Sequence, residues 1–314
     1  MSTIISQPDP LSFSGNMQKF VISSTVDVIF ELKKPTPEGL ITILSQVYKP
    51  GTDSLVTISI GGIIEQLLEV MVPGNLNIQN IQTLATGDFF ARIDNIAIPL
   101  RIIKGGVSEL QETASTWLAG HFLTWQPQSK MIPQASPEWL GIYPIAAGQV
   151  KLKAYYGDGT TFSSTYSELA PDVLYSINMS WSAVSAWLIS QLHSGQVIAW
   201  DVWYEVGAVR KTPIQRYQLR NGAEEDNGFL WFNSLGSIDT VYFQGSSEED
   251  KKLEHKNAIF ADDTISEYKI ENYRAIAQHT GYLNREERWW INDFFYSTKK
   301  YVIRTDGILQ RVAV

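Results

Sequence analysis

Alternation of apolar and polar positions runs through most of the chain. Val26, Val28, Phe30 and Leu32 alternate with Asp27, Glu31 and Lys33, which gives a strand one buried and one wetter face. A proline break at Pro35 to Pro37 separates it from an apolar run, Leu40 to Tyr48. Turn residues Lys49-Pro50-Gly51-Thr52-Asp53 then precede a third run, Leu55 to Ile60, so the order reads strand, turn, strand, turn, strand. Ile63, Ile64, Leu67 and Leu68 recur at helical spacing and predict a short amphipathic helix. Extended structure resumes over residues 89–106, and 109–119 reads as helix.

Residues 122–144, FLTWQPQSKMIPQASPEWLGIYP, break the pattern. Their four prolines predict that no regular central strand or helix passes through, because proline removes a ladder donor and restricts the residue before it. Beyond this belt, Val150, Leu152, Ala154 and Tyr156 alternate with Lys151, Lys153 and Tyr155, and Gly157-Asp158-Gly159 suits a tight hairpin. Tyr175, Ile177, Met179 and Trp181 alternate with Ser176, Asn178 and Ser180; Val184, Trp187 and Leu188 return to helical spacing, and 197–206 is another strand. Strand, hairpin, strand and short helix repeat the order of the first unit. That suggests a duplicated β-sandwich, although no shared residues carry it.

Residues 214–245 predict a three-stranded meander. Its strands are Arg216 to Arg220, Phe229 to Phe232 and Asp239 to Phe243, with an acidic loop, Glu224-Glu225-Asp226, after the first. Asn233-Ser234-Leu235-Gly236 supplies the second turn, where Asn233 and Gly236 can adopt positive φ. The charge cluster Glu248 to Lys252 reads as a solvated loop, and 264–277 as a strand. Asn284-Arg285-Glu286-Glu287 has the form of a capping box, and Trp290, Ile291, Phe294 and Phe295 predict an inward stripe on the helix it starts. A last hairpin turns at Thr305-Asp306-Gly307. The expected fold is mainly β: two β-sandwich-like domains with a few short α-helices. An N-terminal β-rich domain spans 1–121, a Pro/Trp-rich linker or belt 122–149, and a C-terminal β-rich domain 150–314 with a late amphipathic helix at about 284–297.

Composition narrows the chemistry. A length of 314 residues with 44% hydrophobic and 18% charged residues suits two ordinary domains and argues against wholesale disorder. A net charge of -8 argues against a general nucleic-acid footprint. No apolar run approaches membrane-spanning length, so no membrane insertion is expected. The N-terminus has neither a basic n-region nor an apolar h-region, so no signal peptide is expected and synthesis is in the cytoplasm. Absence of cysteine removes disulfides, thiolate catalysis and cysteine zinc sites. The 10 Trp, 14 Tyr and 13 Phe fit either a β-rich core or an interface.

No catalytic signature stands out. His121, His193, His255 and His279 lack metal-binding spacing, and no phosphate-binding glycine loop or nucleophile elbow occurs. Gly157-Asp158-Gly159 is explained by its hairpin without calcium. The residual enzymatic reading is a pair of remote carboxylates in a polysaccharide-cleaving groove. Glu138 beside Trp139 and Asp201 between Trp200 and Trp203 are candidates; a solvated loop position and a strand's polar position are their plainer explanations. Neither a cofactor nor a metal is expected.

Several segments, in order, resemble a family of tail-associated or minor structural virion proteins encoded by phages and prophages of Bacteroidetes. They are Leu11-Ser12-Phe13-Ser14-Gly15-Asn16, Phe122-Leu123-Thr124-Trp125-Gln126-Pro127 with Pro137-Glu138-Trp139-Leu140, and Tyr156-Gly157-Asp158-Gly159-Thr160. Asp201-Val202-Trp203, Arg216-Tyr217-Gln218-Leu219-Arg220, Phe232-Asn233-Ser234-Leu235-Gly236 with Asp239-Thr240, and Gly281-Tyr282-Leu283-Asn284 complete the set. Ser237-Ile238 departs from it, standing where a second glycine and an aromatic are expected. The resemblance covers nearly the whole chain and implies a non-enzymatic subunit of the virion, in the tail or its distal end. Its partners are then other copies of itself and other phage structural proteins.

On that reading Trp125 and Trp139 are aromatic anchors, and they and the acidic loop Glu224, Glu225 and Asp226 lie near inter-subunit contacts. The two tryptophans equally suit the seam between two domains of one chain. A carbohydrate or receptor-binding module at the tail tip, stacking a cell-surface glycan on Trp139 or Trp203, is the alternative.

Overall fold

The computed structural model describes residues 2–74, 77–107, 112–220, 228–259, 265–304 and 309–312. Strand accounts for 47% and helix for 14%, so the fold class is mainly β.

The first unit contains β1 (Thr3–Ser6), β2 (Leu11–Phe13), β3 (Phe20–Ser23), β4 (Val28–Thr36), β5 (Gly39–Tyr48), β6 (Leu55–Ile58), α1 (Gly61–Leu67), β7 (Gln79–Ile81), β8 (Thr86–Ile93) and β9 (Ile96–Ile103). Two sheets, β1-β3-β6 and β2-β9-β8-β4-β5, face each other. Between them lie the inward positions of the alternating strands, among them Phe20, Ile22, Phe30, Leu32, Ile58 and Phe89. Val28 joins this core, whereas Val26 precedes the strand and is exposed. The break expected at Pro35 falls inside β4. β8 pairs with β4 only as far as Lys33, so one side of β4 is free there and tolerates a residue without an N–H.

After α2 (Ala114–Leu118) comes a second sandwich. Its elements are β10 (Ser129–Pro133), β11 (Trp139–Ile142), β12 (Gly148–Tyr156), β13 (Thr161–Leu169), β14 (Tyr175–Asn178), α3 (Trp181–Ser190), β15 (Val197–Val206), β16 (Val209–Arg210) and β17 (Gln215–Arg220). The larger sheet runs β10-β17-β15-β12-β13, with β16 on β15, and the smaller β11-β14-β7. This is the strand order of the first unit. In each large sheet the first strand lies parallel to the last, β2 on β9 and β10 on β17. In each small sheet the second strand pairs with the one that precedes the helix, β3 with β6 and β11 with β14. The duplication resides in topology, and both copies have an immunoglobulin-like order.

Two expectations change here. The proline-rich segment supplies β10 and β11, each at the edge of its sheet, where prolines at 127, 133 and 137 interrupt no central ladder. The first unit also lends β7, which covers the open edge of β14 and removes a free strand edge from the second sandwich.

The remaining elements are β18 (Gly228–Phe232), β19 (Ile238–Tyr242), β20 (Ser247–Ile259), β21 (Ile265–Gln278), α4 (Arg285–Tyr296), β22 (Lys300–Ile303) and β23 (Leu309–Val312). The strands expected in the meander form, but β17 belongs to the second sandwich, while β18 and β19 belong to a separate sheet, β19-β18-β22-β23. The parallel partner β10 occupies the side of β17 that the meander needed. Glu248 to Lys252, expected as a loop, lies in β20, which pairs along its length with β21.

One apolar cluster joins the three bodies. Phe13 and Ile103 come from the first sandwich, Leu123 and Trp139 from the proline-rich segment, and Leu235 and Ile238 from the last sheet. At its rim the 233–236 turn lies against residues 104–106, with Gly106 N–H donating to the Ser234 carbonyl at 2.6 Å. Gly236 has φ +76, and an added Cβ would fall 1.8 Å from the Lys104 carbonyl oxygen. Ser237 and Ile238, where the sequence departs from the pattern it resembles, are fully buried behind this turn. Gly236→Ala therefore combines a left-handed backbone with a collision against main chain. The expected loss is more than about 2 kcal/mol in denaturant unfolding, against about 1 kcal/mol for an average substitution.

Candidate functional site

Residues 125–128, which lead into β10, line an open groove of about 1100 Å³ together with α4 and with Thr280 and Leu283 ahead of it. The helix starts where the capping box was expected. Asn284 Oδ1 accepts from Glu287 N–H at 2.9 Å, and Glu287 Oε2 accepts from Asn284 N–H at 2.8 Å. Trp290, Ile291 and Phe294 turn inward onto β18 and β22. Rings of Trp231 and Trp290 lie 5.2 Å apart, and Phe294 meets Trp231 edge-on at 5.5 Å. Phe295, expected in this inward stripe, is 54% exposed.

What the inward face leaves outside is a second stripe. Arg285, Arg288, Trp289, Asn292 and Phe295 all line the groove, at the i, i+3, i+4, i+7, i+10 spacing that places residues on one helix face. Trp289 is 59% exposed and meets Trp125 edge-on, 5.1 Å between centroids. Trp125 in turn lies 6.1 Å from Trp117, which stacks on His121 at 4.7 Å. A smaller cavity of about 290 Å³ shares Trp125, Gln126 and Gln128 with the groove and extends it toward Trp117 and Pro213. Trp125 Nε1–H donates to Ser234 Oγ at 2.9 Å. Asp293 accepts from Ser234 N–H and from Trp231 Nε1–H, fixing the helix to the 233–236 turn. The groove is thus a rigid, aromatic surface with two guanidinium groups at its rim.

Beneath it lies a buried polar network. Lys130 Nζ donates to Glu138 Oε1 at 2.5 Å and to Thr240 Oγ1 at 3.0 Å, and Thr240 donates to the other Glu138 oxygen. Glu138 is wholly buried, and burial pushes its carboxyl above the ordinary range while Lys130 and Thr240 oppose the rise. Asp239 accepts from Thr124 Oγ1 at 2.6 Å and Trp290 Nε1 at 2.9 Å. Burial pushes Asp239 up to about 6 despite these bonds and nearby Lys130. Gln126 Nε2 donates to the Tyr217 hydroxyl, which burial drives well above its usual value. The network ties residues 124–138, β19, β17 and α4 into one support for the groove.

The sequence-derived candidates separate in space. Trp125 is in the groove. Trp139 is buried in the central apolar cluster and offers no platform to a ligand. Trp203 is half-buried on β15, where its indole N–H donates to Glu205 at 3.2 Å, and it is no part of the groove lining. Glu224, Glu225 and Asp226, like Asp306 and Gly307, lie outside the described residues. Gly157-Asp158-Gly159 makes the β12–β13 hairpin, Gly159 at φ +85 and the Asp158 carboxylate accepting from Thr160 N–H and Oγ1–H. Of the two residues expected to take positive φ in this turn only Gly236 does; Asn233 instead accepts from Ser237 N–H and donates to the Leu123 carbonyl.

Both candidate carboxylates are committed to protein partners. Glu138 is held as above, far from a solvated loop position. Asp201 is gripped by the Arg216 guanidinium at 2.6 and 2.8 Å and by the Tyr155 hydroxyl at 2.7 Å. Among the described residues no group of three His, Cys, Asp or Glu could hold a metal ion, and no helix is long and apolar enough to cross a membrane. Sequence reading missed Trp289 and the two arginines. The available signal was aromatic residues on both faces of one twelve-residue helix, which one buried face cannot absorb.

No family model matches the chain, and no curated protein matches it. Among solved structures, native alpha-2-macroglobulin from Escherichia coli spanning domains NIE-MG1 is similar at 7% identity and a TM-score of 0.22, covering 69% of this chain and 95% of that one. A tetra-tandem repeat in the extending region of a large adhesion protein is similar at 10% identity and a TM-score of 0.24, covering 99% and 71%. The I9-I11 tandem from titin is similar at 12% identity and a TM-score of 0.17, covering 88% and 98%. Likenesses of this size carry no argument about function or partners.

Proposed function

We propose that this chain is a non-enzymatic structural subunit of a bacteriophage virion, in the tail or its distal end, that docks other virion proteins in the groove between α4 and residues 125–128. One observation carries the reading: a helix already buried on one aromatic face presents a second, with Trp289 and Phe295 more than half exposed beside Arg285 and Arg288. Exposed rings clustered with arginines on a rigid base are the composition of interface anchors, and contiguous apolar surface of this kind is uncommon on an unpartnered face. The collinear resemblance to Bacteroidetes phage tail-associated proteins supplies the kind of particle.

The test is removal of the gene from the phage or prophage that encodes it. Particles assembled without the chain should lack a functional tail, and complementation with the intact chain should restore it to purified particles. Normal particles in its absence, or no chain in wild-type particles, would refute the proposal.

A further inference from the structure

The basic residues of α4 stand where they do least for the helix. A helix favours anions at its start and cations at its end, because its backbone dipole is positive at the first turn. Arg285 is nonetheless the first residue of α4 and Arg288 stands one turn on, while the last turn holds no basic residue. The Glu287 carboxylate is engaged in the capping box. Arg92, Arg101 and Arg216 each have a carboxylate partner. Among the described residues Arg285 and Arg288 have none, and the Arg288 Nε–H reaches only the Asn284 carbonyl, at 3.4 Å. Helix stability does not account for this placement, and a local rule broken at an exposed site points to function.

Both guanidinium groups line the groove beside exposed Trp289 and Phe295, and Glu286 is the one carboxylate among the lining residues. The rim is therefore cationic, on a chain whose net charge is -8. Arginine's planar fork suits pairing with a carboxylate at an interface, and Leu283 and the exposed rings suit apolar side chains. A partner that complements this lining carries carboxylates next to apolar groups. Building on the docking proposal, we infer that the segment held in the groove is an acidic peptide of another virion protein. Its carboxylates meet Arg285 and Arg288, and its apolar side chains lie against Trp125, Trp289 and Phe295.

Charge reversal tests the partner inside the particle. Chains carrying Arg285→Gln with Arg288→Gln, or Arg285→Glu with Arg288→Glu, are quantified in purified particles made without the wild-type gene. The Gln pair should enter about tenfold less than wild type, and the Glu pair about tenfold less again, because like charges then face each other. Anions suit a helix start, and circular dichroism checks that both variants are folded. A chain with p-benzoylphenylalanine in place of Phe295, irradiated in the particle, should cross-link to a peptide of another virion protein that has net negative charge. A Glu pair that enters as well as the Gln pair overturns the inference. So does a cross-linked peptide without net negative charge, or a cross-link to a second copy of this chain, to nucleic acid or to glycan. If both pairs enter like wild type while Trp289→Ala with Phe295→Ala stays out, the acidic partner is wrong and the docking groove stands; if all three enter, both are wrong.

Discussion

Lys130→Met should cost about 3–5 kcal/mol in denaturant unfolding, the range for removing one partner of a buried ion pair. Glu138 is fully buried, and among the described residues Lys130 is the cation that pairs with it. Methionine keeps the stem of the side chain but removes the charge, leaving a carboxylate held by Thr240 alone. That carboxylate must then stay ionised without compensation or bind a proton. The loss should spread, because Lys130 also lies over the Trp290 ring at 5.3 Å and so helps seat α4. A paired change, Lys130→Met with Glu138→Leu, removes both charges and should be more stable than Lys130→Met alone. A single variant within about 0.5 kcal/mol of wild type, the size of a surface effect, would mean the pair is not buried as described.

Asp239 sets the second large effect, a dependence on pH. Its folded value of about 6 lies above the ordinary 3.8, so between these values the folded state holds a proton that the unfolded chain has released. The stabilising contribution is complete below about pH 4 and is lost as pH rises through 6. The amplitude is about 3 kcal/mol at 1.36 kcal/mol per unit of pKa. Groups with lowered values, such as Glu65, run the other way and lose their contribution as the medium becomes acid. Asp239→Asn isolates the term, because its amide oxygen can still accept from Trp290 while no proton is exchanged. Unfolding measured from pH 4 to 7 should show the variant gaining on wild type by up to about 3 kcal/mol. Parallel curves would show that Asp239 titrates as an ordinary carboxyl.

The elements legible in the sequence were those whose pattern is local. Alternation marked β4, β12 and β14, and Asn284 with Glu287 marked the first turn of α4. Sheet membership was hidden, because the partner of β17 lies about ninety residues back in β10 and no local feature announces it. The prolines misled in the same way: proline restricts a strand's position in a sheet more than its existence, and β10 and β11 take edges. Likewise, the charged run in β20 looked solvated because charge reports on water contact and not on backbone pairing. At the site, Trp125 was visible as an aromatic in an irregular segment. Trp139 looked equivalent and is core, since burial is decided by which of three bodies closes over it. Lys130 and Glu138 sit eight residues apart, a spacing with no meaning until β10 and β11 enter different sheets.

The central claim is that the outward face of α4 docks the chain into a particle. Trp289→Ala with Phe295→Ala removes two exposed rings that are not members of the inward cluster; it forfeits their edge contacts to Trp125 and Phe294 and should leave the chain folded. At about 2 kcal/mol for each anchor lost, the docking equilibrium should fall roughly a thousandfold. The direct measurement is the amount of this double variant in purified particles, made in a background that lacks the wild-type gene. The account predicts a folded chain left almost wholly in the lysate; incorporation at the wild-type copy number would contradict it.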